Sequence, residues 1–503
     1  RWANSWNARP WRSCKAASER ASPRGTVSLY EKLANEIARS IHDGVLRVGD
    51  KLPSVRDACA SRGVSPSTVF QAYYLLEARG LIRARPRSGY YVNARGDSLP
   101  PEPDTSCPDG ESTELAISER IFDILDSVRN RDVTPLGSAF PSPLLFPLPR
   151  LAQAMSAHLK RQDPLDTMED LSPGNPGLRR QIALRYLIAG INVPANDIVV
   201  TNGALEALNL CLQAVAQPGD TVIVEAPTFY GALQALERQG LKALEVPTHP
   251  RTGVDLGAME TAIKRHAPKA CWLMTQFQNP LGSLMPEDKK RQLVELLARH
   301  QIPLIEDDVY GELYFGATRP VPAKAFDKQG LVLHCSSFSK CLAPGYRIGW
   351  ASAGRYTQRV QRLKLSSTLS ASSPAQGALA EYLEQGGYDR HLRRLRETLQ
   401  AQQDLMANAI AHAFPAGTRV TRPQGGFFLW LEMPAAVDAL ALHRQALARG
   451  ISVAPGPIFS ASGQFGNALR LNYGHPWDNA HADAIRALGE MARAACQPAA
   501  RSS

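Results

Sequence analysis

The chain has 503 residues, 44% of them hydrophobic, and a formal net charge of +10. That length predicts two or three domains with sizeable cores, and no apolar run approaches the roughly 20 residues a membrane span needs. The eight cysteines are scattered with no CxxC pair, which argues against a disulfide framework or a zinc site and for a cytoplasmic protein with reduced thiols and no metal. The charge is unevenly spread: residues 1–95 hold 17 Lys and Arg against 7 Asp and Glu, whereas residues 96–503 hold 40 of each. Positive charge concentrated in the first fifth of a chain is the footprint of a polyanion partner.

Residues 1–26 are basic and tryptophan-rich but have no apolar h-region, so they read as a disordered arm rather than a secretory signal. In SLYEKLANEIARSIHDGVL (28–46), Leu33, Ile37 and Ile41 recur at four-residue steps, the period of an amphipathic helix. Next, Ser54 caps a short helix, Gly63 breaks it, and Ser65 or Ser67 caps a second helix running to about Arg79. Two short helices joined through a glycine predict a helix-turn-helix. In such a unit the start of the second helix meets base edges in the major groove. LIRARPRSGYYV then alternates apolar and basic residues about Pro86 and Gly89, predicting a two-stranded wing with Arg83, Arg85 and Arg87 near phosphates.

In order along the chain, LPSVRD, GVSPSTV, LLEARGLI and RSGYYV resemble the winged helix-turn-helix domain of the GntR family. The resemblance covers about 65 residues, placed at 27–95. It implies a double-stranded DNA operator as partner, with Arg56, Ser65, Ser67, Thr68, Arg83, Arg85 and Gly89 as the expected contacts. For Arg56 the alternative is a surface ion pair. Residues 96–117 are rich in proline, acidic and small residues and are expected to form an exposed, semi-extended linker.

From about 135 onward, strand-like runs such as DIVVTNG, DTVIVEAP, KACWLMTQF, IPLIEDD and LVLHCSSFS alternate with helical stretches. Such alternation predicts a mainly parallel sheet covered by helices, with ligands gathering at the carboxyl ends of the strands. The unusual residues fall at those ends: Gly203 and Ala204, Phe229, Asn279, Asp307 and Tyr310, then Ser337, Ser339, Lys340 and Arg347. Singly, each has a bland explanation as a cap, a turn or a surface charge. Together they supply what pyridoxal phosphate chemistry requires: a lysine for the Schiff base, an acid for the pyridinium nitrogen, donors for the phenolic oxygen, and arginine, serines and a helix start for the phosphate.

LRRQIALRYLIAGI, NPLG, EDDVY, SFSK with PGYRIG, QGGFFLWL and ALRLNYG resemble fold-type I aminotransferases, specifically the aminotransferase-like domain of MocR-type GntR regulators. This implies an α/β domain over 118–496, with a large part at about 135–370 and a small part at about 370–495. It makes Lys340 the aldimine lysine and Asp307 the pyridinium partner, with Tyr310 and Asn279 donating to the phenolic oxygen. Phe229 is expected to stack on the ring, and Gly203, Ala204, Ser337, Ser339 and Arg347 to line the phosphate. Arg470 matches the arginine that grips a substrate carboxylate; the alternative is that it pairs with an acid of the protein. Two departures stand out. NGALEA has Ala204 and Leu205 where many relatives carry a hydroxyl and an amide, and MEDLSPGNPG (168–177) has no tyrosine where such enzymes often offer one to the neighbouring subunit.

The expectation is a homodimeric regulator, carrying pyridoxal phosphate, that senses an amino acid or amine through the internal aldimine. An active aminotransferase with a DNA-binding appendage is the alternative, and pyridoxal phosphate as the sole effector is a third reading.

Overall fold

The computed structural model describes residues 29–42, 45–47, 49–78, 81–85, 88–92, 99–119, 121–122, 133–165, 168 and 171–497, in two units that divide between Ala94 and Arg95. The arm expected at 1–26 lies outside the described residues, as do Arg87 and the side chains of Arg83 and Arg85.

In the front unit, α1 (Leu29–His42) buries Leu33, Ile37 and Ile41 on one face. Helix α2 (Val55–Arg62) is capped by Ser54, whose Oγ accepts from the Asp57 N–H, and ends at Gly63 with φ 63°, a left-handed turn that glycine adopts without strain. Helix α3 (Pro66–Ala78) starts behind Ser65, whose Oγ accepts from the Thr68 N–H at 3.2 Å. Its Val69, Ala72, Tyr73 and Leu76 point inward. Strands β1 (Ile82–Arg85) and β2 (Gly89–Val92) pair antiparallel, with Arg85 opposite Gly89. The helix-turn-helix and wing therefore form where the periodicity, caps and glycines placed them.

The second unit is built on a sheet that begins with β3 (Ser112–Thr113). After helix α4 (Pro176–Ile188) come β4 (Ile198–Thr201), α5 (Ala204–Val215), β5 (Thr221–Ala226), α6 (Tyr230–Arg238), β6 (Lys242–His249) and β7 (Gly253–Val254). Then follow β8 (Ala270–Leu273), β9 (Leu304–Asp307), β10 (Val332–Ser337) and β11 (Gly349–Ser352). Their order across the sheet is β3-β6-β5-β8-β9-β10-β11-β4, with β7 paired to β6. From β6 to β10 the pairs are parallel. Strand β11 runs antiparallel to both β10 and β4, a reversal the alternating pattern did not reveal, because β10 and β11 are joined by a short loop with no crossover helix. That reversal brings the residues just before β11 to the same sheet end as the carboxyl ends of its neighbours. Gly349 makes the passage possible: a Cβ there would lie 2.5 Å from the Gly203 carbonyl carbon and 2.6 Å from the Ala204 nitrogen.

Behind the long helix α7 (Tyr388–Ala413), the small part carries β12 (Arg419–Val420), β13 (Phe428–Glu432), β14 (Ala454–Pro455) and β15 (Ala468–Asn472). They form an antiparallel sheet in the order β12-β13-β15-β14. Among the described residues no helix is long and apolar enough to cross a membrane.

Residues 99–117 correct the expectation of an exposed linker. They are extended, as their prolines dictate, but tied down along their length. The Val420 N–H donates to the Pro101 carbonyl at 2.9 Å and Arg422 donates to the carbonyls of Leu99 and Pro100. Glu102 takes the Arg422 N–H on Oε1 and an ion pair with Arg251 on Oε2, so one carboxylate joins the small part to the large. Ser106 exchanges hydrogen bonds with Thr248, β3 adds to the edge of β6, and Pro103 and Ile117 are buried. Composition could not reveal this, because the partners lie 130 to 323 residues away.

Hydrogen exchange in the full chain should therefore find the amides of Ser106 and Ile117 protected, with Glu102→Ala loosening the stretch near Ser106. Complete exchange of both at the earliest time point would restore the free linker.

Candidate functional site

A cavity of about 260 Å³ opens at the carboxyl ends of the sheet. Each strand delivers one part of its lining through the loop that follows it. The turn after β4 brings Ala204, the loop after β5 brings Phe229 and Tyr230, and the turn after β8 brings Met274 and Asn279. The end of β9 brings Asp307, with Tyr310 just beyond, and β10 ends at Ser337, with Ser339 and Lys340 behind it. The loop entering β11 brings Arg347. Gly203 sits just outside, at φ 83°, where a Cβ would collide with the Arg347 guanidinium. All the residues expected at the cofactor site from sequence are thus gathered around one space.

The electrostatics are unusual. Burial, with Arg470 and Arg347 nearby, pushes the Lys340 amine down to about 7, against the opposing pull of Asp307. Burial and the neighbouring Asp308 push the Asp307 carboxyl up to about 7, against the opposing pull of Lys340. Its Oδ1 is buried with no hydrogen-bond partner. A buried acceptor left without a donor is costly, by about 1–3 kcal/mol, and such an atom on a cavity wall suits a ligand N–H. Burial also raises the Tyr310 hydroxyl, so it stays a donor; its ring packs edge-on against Phe427 and Phe428.

At the phosphate end, α5 starts at Gly203 without a side-chain cap, leaving its first N–H groups directed outward. Arg347 donates to Ser339 Oγ at 3.2 Å, and Ser337 Oγ accepts from the Ser339 N–H at 3.4 Å. Ser337 and Ser339 are buried. A guanidinium, two hydroxyls and a helix start converging on one point are the donor set of a phosphate. Taken with the open Oδ1 of Asp307 and the amine of Lys340, which burial makes easier to deprotonate, the lining fits pyridoxal phosphate.

Arg470, on β15, is completely buried. It donates to Asn279 Oδ1 at 3.2 Å and to the carbonyls of Gly137 and Ser138 at 2.7 and 3.2 Å, and its guanidinium lies 4.2 Å from the centre of the Phe428 ring. Among the described residues no carboxylate pairs with it, so the reading of Arg470 as one half of an internal ion pair falls. Burial lowers its pKa, against the pull of the Tyr230 and Tyr310 hydroxyls.

Sequence reasoning overlooked two elements. Ala139 and Phe140 line the cavity: Lys340 Nζ donates to the Ala139 carbonyl at 2.8 Å and stands 3.6 Å from the centre of the Phe140 ring. The stretch SAFPSP has no periodicity to betray it. Tyr230, which with Phe229 forms an aromatic pair legible in the sequence as a cover for a flat ring, also lines the cavity at the start of α6. Behind the site runs a relay in which Trp350 donates to the Tyr186 hydroxyl, Tyr186 meets His334 Nδ1 at 2.7 Å, and His334 Nε2 meets Asp308 at 3.0 Å. The relay holds Asp308, and through the backbone Asp307, in place.

In the front unit, Arg56, Ser65 and Ser67 are exposed and Thr68 is half-buried. Ser65 Oγ lies 2.8 Å from both Ser67 Oγ and Thr68 Oγ1. The three hydroxyls are knotted together at the start of α3, and Ser65 serves as its cap. Gly89 is exposed at the start of β2 with φ 103°.

Comparison with known proteins covers most of the chain. Residues 133–485 match the family of class I and II aminotransferases, and residues 29–92 match the gntR family of bacterial regulatory proteins. The chain is 48% identical to the HTH-type transcriptional regulator YdcR of Escherichia coli, over 92% of this chain and 98% of that one. It is 39% identical to the Escherichia coli regulator YjiR over the same shares of the two chains. Among solved structures it is similar to LysN, the alpha-aminoadipate aminotransferase of Thermus thermophilus, solved with N-(5'-phosphopyridoxyl)-L-leucine. The TM-score is 0.68 and the identity 29%, over 76% of this chain and 99% of that one.

The lowered pKa of Lys340 has a direct consequence. Only the neutral amine is nucleophilic, so labelling of Lys340 by an amine-reactive ester, in protein freed of cofactor, should rise with a midpoint near pH 7 rather than the ordinary 10.5. Asp307→Asn, which removes the one group holding the proton on, should shift the midpoint lower still. Peptide mass spectrometry reads both, and a midpoint near that of exposed lysines would contradict the desolvated site.

Proposed function

Since the chain belongs to the class I and II aminotransferase family and carries a gntR-family domain at its front, we propose that it is a transcriptional regulator with a sensor built from an aminotransferase site. In this reading it holds pyridoxal phosphate at Lys340, responds to an amino acid, and binds double-stranded operator DNA as a homodimer in the cytoplasm. The observation that carries the reading is Arg470: a buried guanidinium with neutral partners, beside an amine-binding site, is complementary to a ligand bearing both an amine and a carboxylate.

When bound, pyridoxal phosphate supplies one aldehyde carbon for which the Lys340 amine and a ligand amine compete. The chain's residues do the rest. Arg347, Ser337, Ser339 and the start of α5 bind the phosphate and fix the register. Asp307 holds a proton between its Oδ1 and the ring nitrogen, and Tyr310 and Asn279 donate to the phenolic oxygen. Phe229 covers a ring face and helps exclude water. Arg470 orients the ligand through its carboxylate.

Sensing then has a concrete route. Lys340 donates to the carbonyl of Ala139, and Arg470 donates to the carbonyls of Gly137 and Ser138. Segment 137–140 is thus bonded to both groups whose partners change when an amino acid binds. A ligand that engages Arg470 and competes with Lys340 alters both ends of that segment together, which supplies the unequal binding to two states that regulation requires. A second reading, active transamination, is favoured by Lys340, Asp307 and Tyr310 lining one cavity, with Arg470 bonded to Asn279 of the same lining.

The test uses cofactor-loaded full-length protein on an operator selected from random duplex DNA. The effector among the common amino acids should change operator affinity by about 5- to 150-fold, the usual span of allosteric coupling. Lys340→Ala should still bind DNA but give no response. Constant DNA affinity alongside release of keto acid would overturn sensing and leave the enzyme.

A further inference from the structure

The front unit presents an apolar stripe that its own core does not use. On α3 the inward positions are Val69, Ala72, Tyr73 and Leu76. The outward ones are Ser67, Phe70, Gln71 and Tyr74, spaced i, i+3, i+4, i+7 along one face. Phe70 is 53% exposed and Tyr74 75% exposed. An aromatic ring left in water forgoes the gain of burial, and a unit of this size has few such rings to leave out. Two on one helical face mark a surface that something covers.

The charge identifies what covers it. This stripe lies in the segment that carries the chain's whole excess of positive charge, 17 basic against 7 acidic residues in the first 95. It also lies on the second helix of a helix-turn-helix, whose opening turns meet base edges in the major groove. A duplex is the partner that fits both facts. The hydroxyls at the start of α3 are bonded to one another, with Ser65 committed to the helix cap. The next outward side chains are therefore the ones free to discriminate. Phe70 and Gln71 are the fifth and sixth residues of α3, about 6–8 Å along its axis from the first residue, whereas Tyr74 lies about 12 Å along and nearer the groove edge.

Resting on the reading that the front unit binds DNA, we propose that Phe70 is a specificity residue that packs on the C5 methyl group of a thymine. Gln71 beside it pairs with an adenine through its side-chain amide. An amide matched to adenine and an apolar surface matched to the thymine methyl are the two side-chain chemistries that read A·T pairs in the major groove. Each half-site consequently contains a thymine under Phe70 that no other base replaces.

The experiment isolates one methyl group. Operators are selected from random duplex DNA with the full-length protein, and each thymine is replaced in turn by deoxyuridine, which lacks only the C5 methyl. Wild type should lose about fourfold in affinity at one position per half-site, the weight of a buried methyl, and be indifferent elsewhere. Phe70→Ala should bind the unmodified operator more weakly and ignore the substitution at that position. Phe70→Leu, which keeps an apolar surface and guards against a folding defect in the alanine variant, should retain part of the sensitivity. Gln71→Ala should keep the methyl dependence and lose its preference for adenine. Operator binding by wild type that is indifferent to every deoxyuridine, or a methyl dependence that Phe70→Ala preserves, overturns the proposal while leaving DNA binding intact. No selection of any duplex overturns the DNA-binding reading as well.

Discussion

A guanidinium buried with no carboxylate beside it among the described residues is the constraint around which the aminotransferase-like unit is arranged. Moving a charge out of water is costly unless an opposite charge or a full set of acceptors receives it. Arg470 donates to Asn279 and to the carbonyls of Gly137 and Ser138, and among the described residues it meets no anion and its Nε has no partner. Its position also makes it a joint. It stands on β15 of the small sheet, while Asn279 follows β8 of the large one. In the proposed reading, a ligand carboxylate arriving there would offset the missing charge at the place where the large and small sheets meet.

The rest of the site follows from topology. Five parallel strands end on one side, and the antiparallel β11 starts there, so side chains as far apart in sequence as Ala204 and Arg347 meet without a long-range motif. The low dielectric of that meeting place acts in opposite directions on its two central groups. It pushes the Lys340 amine down and the Asp307 carboxyl up, bringing both to about 7. An amine ready to attack and an acid ready to donate are products of the same burial.

Much of this was legible in the sequence, and the failures are informative. Lys340, Asp307 and Asn279 each sit at or just beyond the end of an apolar run, where a parallel sheet must deliver them, whereas Arg347 stands just before β11 and reaches the same sheet end because that strand runs antiparallel. The caps Ser54 and Ser65 and the break at Gly63 are local devices, and local devices can be read from neighbours in the chain. Phe140 and the Asp308–His334–Tyr186 relay could not be read, because each depends on contacts between segments with no shared period. The stretch 99–117 misled for a related reason. Its composition describes solubility and stiffness, whereas its fate is decided by Arg251, Thr248 and Val420, which only the fold brings near. Phe70 was visible as an apolar residue, but its exposure emerged only when the neighbouring positions of α3 had filled the core.

The claim that Arg470 waits for a carboxylate can be tested by thermal melting of the cofactor-loaded protein with matched pairs of ligands, each an amino acid and the amine left by removing its carboxyl group. Ligands that bind only the folded state raise its melting temperature in proportion to affinity. The account predicts that the amino acid stabilises the wild type well beyond its amine, and that Arg470→Met abolishes the difference while retaining the cofactor's visible band. Equal stabilisation of wild type by both members of every pair would contradict it.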